Sequence, residues 1–208
     1  NSESISYYIS NNSTENIIDR YYSSSQGWHH IQNAIQINNI GHSTEEYSFI
    51  RSIFNNLDKV IDVDFIEFST NEGSKLDIYS VDFSSTFLIN VVGQAIYQES
   101  QYGAWFDILW KESDNKADLS NNDKNTIIHE LGHSLGLSHP NNDPYDSNWN
   151  TDHTVMSYNK GITAGDWFSK ADLDALINIW GRENDNGVIT IENKFENCEF
   201  SKTTNNQY

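Results

Sequence analysis

Cysteine occurs once in these 208 residues, at Cys198, so no internal disulfide can brace the chain; a lone cysteine ordinarily points to a reducing compartment. Lysine and arginine number 12 against 30 aspartates and glutamates, which leaves a formal charge of −18. Such a surface argues against nucleic acid or an anionic membrane as partner, because both are held by basic patches. A share of the carboxylates is left as candidate calcium ligands, although no recognisable loop spacing places them. No apolar run of about 18 residues occurs, so no membrane-spanning helix is expected. A signal peptide is also missing: the chain starts at Asn1, which reads as a processed form or a trimmed piece. Asn11 and Asn12 stand at sequon spacing, which in an Asn- and Ser-rich chain is noise. What is present suits one folded domain, with room for a cleft between two lobes: 37% of residues are hydrophobic and 13% aromatic.

The most informative stretch runs from Thr126 to Pro140 and contains H-E-x-x-H-x-x-G-x-x-H. On a helix, positions i and i+4 share a face, so His129 and His133 can reach one metal ion. His139 lies too far along to share that face if the helix simply continued. Gly136 resolves this, since glycine can adopt the conformation that ends a helix and turns the chain back. Three histidines plus water make the open, catalytic kind of zinc site. Glu130 is then spare as a ligand, and stands where it can accept a proton from water on the metal. The plain alternative is an amphipathic core helix with incidental histidines. Ile127, Ile128, Leu131 and Leu135 do form a buried face, but they leave the histidines and the glutamate unexplained.

This motif resembles the zinc signature of the metzincin metalloendopeptidases, which also carry a methionine turn beneath the metal. Thr154-Val155-Met156-Ser157-Tyr158 fits that turn, and Met156 is the chain's single methionine. Pro140 directly after the third histidine, together with Met-Ser-Tyr, resembles the serralysin branch. The resemblance implies an α+β, zincin-like fold: a mixed twisted sheet, an active-site helix, and a smaller C-terminal lobe after His139. It implies Zn2+ on His129, His133 and His139, with Tyr158 as an additional ligand that also steadies the transition state. Glu130 would be general base and then proton donor to the leaving amine, in hydrolysis of internal peptide bonds. It further implies a secreted, bacterial enzyme that needs no disulfide; a monomer is expected.

Taken in order, residues 1–43 read as an N-terminal extension or leader-like segment, with strand composition at Ile5 to Ser10. Asn16 to Tyr22 is expected as a short helix and Ile31 to Ile40 as a strand; adjacent His29 and His30 read as surface residues. Residues 44–181 form the expected catalytic domain, its upper lobe ending near 139. Thr44 is the expected cap of a helix whose apolar positions run from Ile50 to Ile61. Strands are expected at Asp62 to Phe68 and Lys75 to Val81, joined by a turn at Asn71 to Ser74. Val91 to Gln98 resembles the edge strand that borders the metzincin cleft. Gly93, Gln94 and Ala95 would there admit an extended peptide as an added strand. Ala104 to Trp110 is an apolar strand, and Lys111 to Leu119 a charged loop. Ser120 to Asp123 resembles a capping box opening the active-site helix.

In the family, the loop from Pro140 to His153 walls the pocket for the residue after the scissile bond, with Tyr145 and Trp149 available to shape it. His153 has no ligand spacing and reads as a neighbour or surface residue. Ser169 and Asp172 cap a closing helix that buries Leu173, Leu176, Ile177 and Trp180 and ends at Gly181. The glycine- and aspartate-rich calcium repeats that usually follow in serralysins are missing from residues 182–208, which read as a tail with a turn at Asn186-Gly187 and a short strand at Val188 to Ile191. Cys198 does not resemble a cysteine-switch segment and reads as an ordinary thiol. Two alternatives to an active peptidase remain: a latent form whose first 40 or so residues cover the cleft, and a non-catalytic zinc- or peptide-binding module derived from such an enzyme.

Overall fold

The computed structural model describes residues 3–11, 14–112, 119–162 and 165–184. Cys198, the turn at Asn186 and the strand from Val188 lie outside the described residues, as does most of the charged loop after Lys111. The described chain is α+β. Its elements are β1 (Glu3–Ile9), β2 (Ile17–Ser24), β3 (Gly27–Asn39), α1 (Thr44–Leu57), β4 (Val63–Phe68), β5 (Leu76–Ser84), β6 (Gly93–Ser100), β7 (Gly103–Lys111), α2 (Asn121–Ser134) and α3 (Lys170–Trp180). A short 3-10 turn, Pro140–Asn142, separates α2 from α3.

The strands form one mixed sheet. β1 lies between β4 and β5 and runs parallel to both. The other edge of β5 pairs in parallel with β7, and β7 pairs antiparallel with β6. Where β1 ends, β3 takes over the same edge of β5 in antiparallel sense and brings β2 with it as a hairpin. Ser10 and Ile40 mark the handover, donating their N–H groups to the carbonyls of Ile78 and Ser80. β6 has β7 as its ladder partner and no other among the described residues.

Alternation along the strands divides two cores. On one face, Ile78, Ile108 and Trp110 meet Ile50, Ile53, Phe54 and Leu57 of α1 and Ile127, Ile128 and Leu131 of α2. On the other, Tyr79, Val81 and Leu109 are covered by Ile18, Ile35 and Ile37 of the β2–β3 hairpin. The helices start where their caps say. Ser43, Ser120 and Ser169 each accept the N3 backbone N–H, and Glu46, Asp123 and Asp172 return the bond to the cap.

Several expectations need correction. Asn16 to Tyr22 is strand: Ile17, Ile18 and Tyr21 fit a helical period, but pairing with β3 decides otherwise. Residues 3–39 are no appendage, since they supply three strands, one inside the sheet and two over its second face. Ser43 caps α1, one residue before Thr44, because its side chain and that of Glu46 satisfy each other's backbone donors. That helix stops at Leu57, leaving Val60 and Ile61 in the turn that follows. The turn at Asn71 to Ser74 does form, with Gly73 at φ 81°, but it leads across β1 and not into a hairpin.

Candidate metal centre

α2 carries the first two histidines. Its last hydrogen-bonded turn closes at Leu135, and Gly136 then takes φ 101°. A side chain at 136 would be strained at that angle and would approach Ile179 of α3 at 3.3 Å. From that reversal the chain delivers His139 back to the helix. The Nε2 of His139 lies 3.2 Å from Nε2 of His129 and 3.2 Å from Nε2 of His133.

The other ring nitrogens explain these contacts. His129 Nδ1 lies 2.8 Å from the Val155 carbonyl and His133 Nδ1 lies 3.0 Å from the Leu137 carbonyl. A carbonyl only accepts, so both Nδ1 atoms carry the proton and both Nε2 atoms present lone pairs. Burial holds all three imidazoles neutral: it lowers His129 to about 3 and pulls His133 and His139 below the ordinary value. Neutral imidazole is the ligating form. A tetrahedral ion with bonds of about 2.0–2.1 Å keeps its nitrogens about 3.3 Å apart, so the observed spacing fits one. The three histidines can hold a metal ion, and no second group of three or more His, Cys, Asp or Glu residues comes together among the described residues. The calcium expectation therefore finds no such cluster there.

Glu130 points from α2 toward β6. Burial pushes its carboxyl up to about 8, opposed by a hydrogen bond from the Ala95 backbone N–H. A Cβ built on Gly93 would stand 2.5 Å from Glu130 Oε1 and 2.8 Å from Thr126 Cγ2. The small residues of β6 thus accommodate the glutamate itself, a different use from the peptide approach expected at Gly93 and Ala95. Gln94 is turned away into the β5–β6 connection, where its Oε1 accepts the Thr86 hydroxyl at 2.7 Å.

Beneath the histidines, Met156 is fully buried and its Sδ stands 2.8 Å from where a Cβ on Gly132 would be. The ring of Tyr158 lies 5.3 Å from that of His129, 5.1 Å from that of His139 and 5.3 Å from that of Tyr145. Burial, Glu130 and Tyr145 together raise its hydroxyl above the ordinary value. Trp149 makes an edge contact with exposed His153, which takes no part in the cluster.

Two supports were invisible in the motif. Asp172, the N3 residue of the α3 cap, also accepts the Thr154 hydroxyl and, at 3.0 Å, the Val155 N–H. It therefore anchors Val155, the residue whose carbonyl holds His129. Trp180 Nε1 donates at 2.8 Å to the Leu135 carbonyl at the end of α2. The cap at Ser169 was legible, but the second use of Asp172 depends on a contact across 17 residues. By sequence, the chain matches no known family and no curated protein.

Proposed function

We propose that the protein is a zinc-dependent endopeptidase of the metzincin type, built on a zincin-like fold and acting on extended protein or peptide segments. The observation that carries this reading is the convergence of three histidine nitrogens, with His139 Nε2 at 3.2 Å from both His129 Nε2 and His133 Nε2, beside the buried Glu130 carboxyl at a sheet edge unpaired among the described residues. His129, His133 and His139 would hold the ion, with Tyr158 near enough to join them. Bound there, zinc would polarise a carbonyl and bring the pKa of its water to about 7. Glu130 accepts the proton of the attacking water and returns it to the leaving amine. Glu130 packs directly on Gly93 of β6, so the base lies against the strand that would pair with the substrate. Tyr158 offers a phenolic O–H to developing negative charge. No residue needs to form a covalent intermediate. The reading extends to a monomer that works outside its cell.

Latency through the first 40 residues has little support: β1 is within the sheet, and β2 and β3 cover the face opposite α2. The test is cleavage of a quenched fluorescent peptide library, with and without a chelator. Cleavage lost on chelation and restored by one equivalent of zinc is expected. Glu130→Gln should retain the metal and lose about 10²–10⁴ in turnover. Stoichiometric zinc with no cleavage of any peptide would leave the binding module as the better reading.

A further inference from the structure

A cavity of about 430 Å³ opens on the sheet face opposite the histidines, between the β2–β3 hairpin and the ends of β5 and β7. Asp77 and Asp107 line it, and they are register partners on adjacent parallel strands. They are 4% and 2% exposed, which is unusual for aspartate unless a cation accompanies it. Asp107 accepts Gln98 Nε2 at 2.7 Å and the Trp105 indole N–H. Asp77 accepts the Ser74 hydroxyl at Oδ1, and no donor serves its Oδ2 among the described residues. Neither forms an ion pair there; the pairs present are His30–Asp19, Arg51–Glu67 and Lys170–Asp174. Lys75 stands at the rim, where its Nζ donates to the Ala104 carbonyl at 3.1 Å, and it forms no ion pair with either aspartate among the described residues. Aromatic rings complete the walls: Tyr79 and Trp105 beside the acids, Tyr21 edge-on to Trp105, and Tyr102 at the mouth.

We propose that this cavity is a binding site for a small organic cation, a primary ammonium or guanidinium compound whose head sits between Asp77 and Asp107. Each part of the site suits such a ligand. The carboxylates offer a free oxygen to a charged N–H donor. The aromatic rings favour a weakly hydrated cation over a hard one. A volume of about 430 Å³ suits a small molecule. A calcium ion needs six to eight oxygens, and no third carboxylate joins this pair within ligating reach among the described residues. Burial raises Asp77 to about 8 and Asp107 to about 7; the Arg20 charge pulls against the rise at Asp107 without reversing it, and no cation acts so on Asp77. The site shares no residue with the metal centre, so it stands or falls apart from the peptidase reading.

The experiment is calorimetric titration of the full chain, zinc-loaded, with agmatine at pH 8 and low salt. Saturable one-to-one binding is expected, with no binding of the uncharged analogue pentylurea. Asp77→Asn and Asp107→Asn should each weaken agmatine at least tenfold, while Asp174→Asn, on exposed α3, should leave it unchanged. Asparagine mimics the shape of the neutral carboxyl, and circular dichroism with zinc content checks each fold. Should one variant fail to fold, the other still decides. Equal weakening by Asp174→Asn would mean general attraction to an acidic chain and would overturn the proposal. So would calcium chloride binding that both cavity variants abolish while agmatine gives no heat.

Discussion

Gly93 shows how one missing side chain can make room for a buried carboxyl. The space its Cβ would fill is taken by Glu130 Oε1 at 2.5 Å and Cγ at 2.8 Å. In Gly93→Ala the glutamate must swing away, because the strand is held on its other edge by β7. We expect about 1–3 kcal/mol of lost stability, unchanged zinc stoichiometry, and a fall in kcat out of proportion to any change in KM. Gly132 offers a contrast. Its added methyl would meet Met156 Sδ at 2.8 Å, within an unbranched side chain that can move. Gly132→Ala should therefore change stability with less effect on turnover. Full activity in Gly93→Ala would mean that Glu130 need not stand where it does.

Among the elements, α3 does more than close the domain. Its first turn holds the Thr154–Val155 peptide through Asp172, its last turn holds Leu135 through Trp180, and its Ile179 faces Gly136. The helix thereby grips α2's exit and the peptide beneath His129 together. Asp172→Ala leaves buried donors on Val155 and Thr154 without an acceptor and removes a cap, for about 3–5 kcal/mol in all. Zinc affinity should fall about 10–100-fold as His129 loses its fixed carbonyl. Ser169→Ala removes the cap and the hydroxyl's 2.7 Å bond to the His153 carbonyl but leaves Asp172 on Val155, costing about 1–2 kcal/mol with zinc affinity retained. Equal zinc affinities in the two variants would deny Asp172 that positioning role. The caps of all three helices were legible in sequence to within a residue, because serine and an acid three places on are local signals. The histidine cluster was legible because helical spacing and one glycine set it. β2 was not: Ile17, Ile18 and Tyr21 suit either period, and the choice falls to β3, whose partner residues lie up to 19 positions away. Nor were Gly93 and Asp172 legible in these roles, since both act on groups far along the chain.

At the scale of the whole molecule, charge sets the response to pH. Asp77 and Asp107 keep their protons to about 8 and about 7 in the folded chain, whereas unfolded aspartate releases its proton near 4. The folded state thus binds more protons between about pH 4 and 8, and stability falls as pH rises across that window. Below about pH 7 the three lowered histidines work in the opposite sense, so the test lies above it: melting temperature at fixed ionic strength should decline from pH 7 to pH 9, and Asp77→Asn with Asp107→Asn should flatten the part of the decline that Glu130 does not carry. A rise over that range in the parent chain would show that these carboxyls are ionised in the fold. Salt should raise the melting temperature at high pH, because it screens the repulsion of a chain at −18. The placement of β1 also governs how the chain is made. Its strand partners are residues 63–68 and 76–78, so on the ribosome Tyr7, Tyr8 and Ile9 emerge long before anything can pair with them. At about 5–20 residues per second the wait is roughly 3–14 s, and throughout it a future interior strand of the sheet is open and within reach of any chaperone at the exit tunnel.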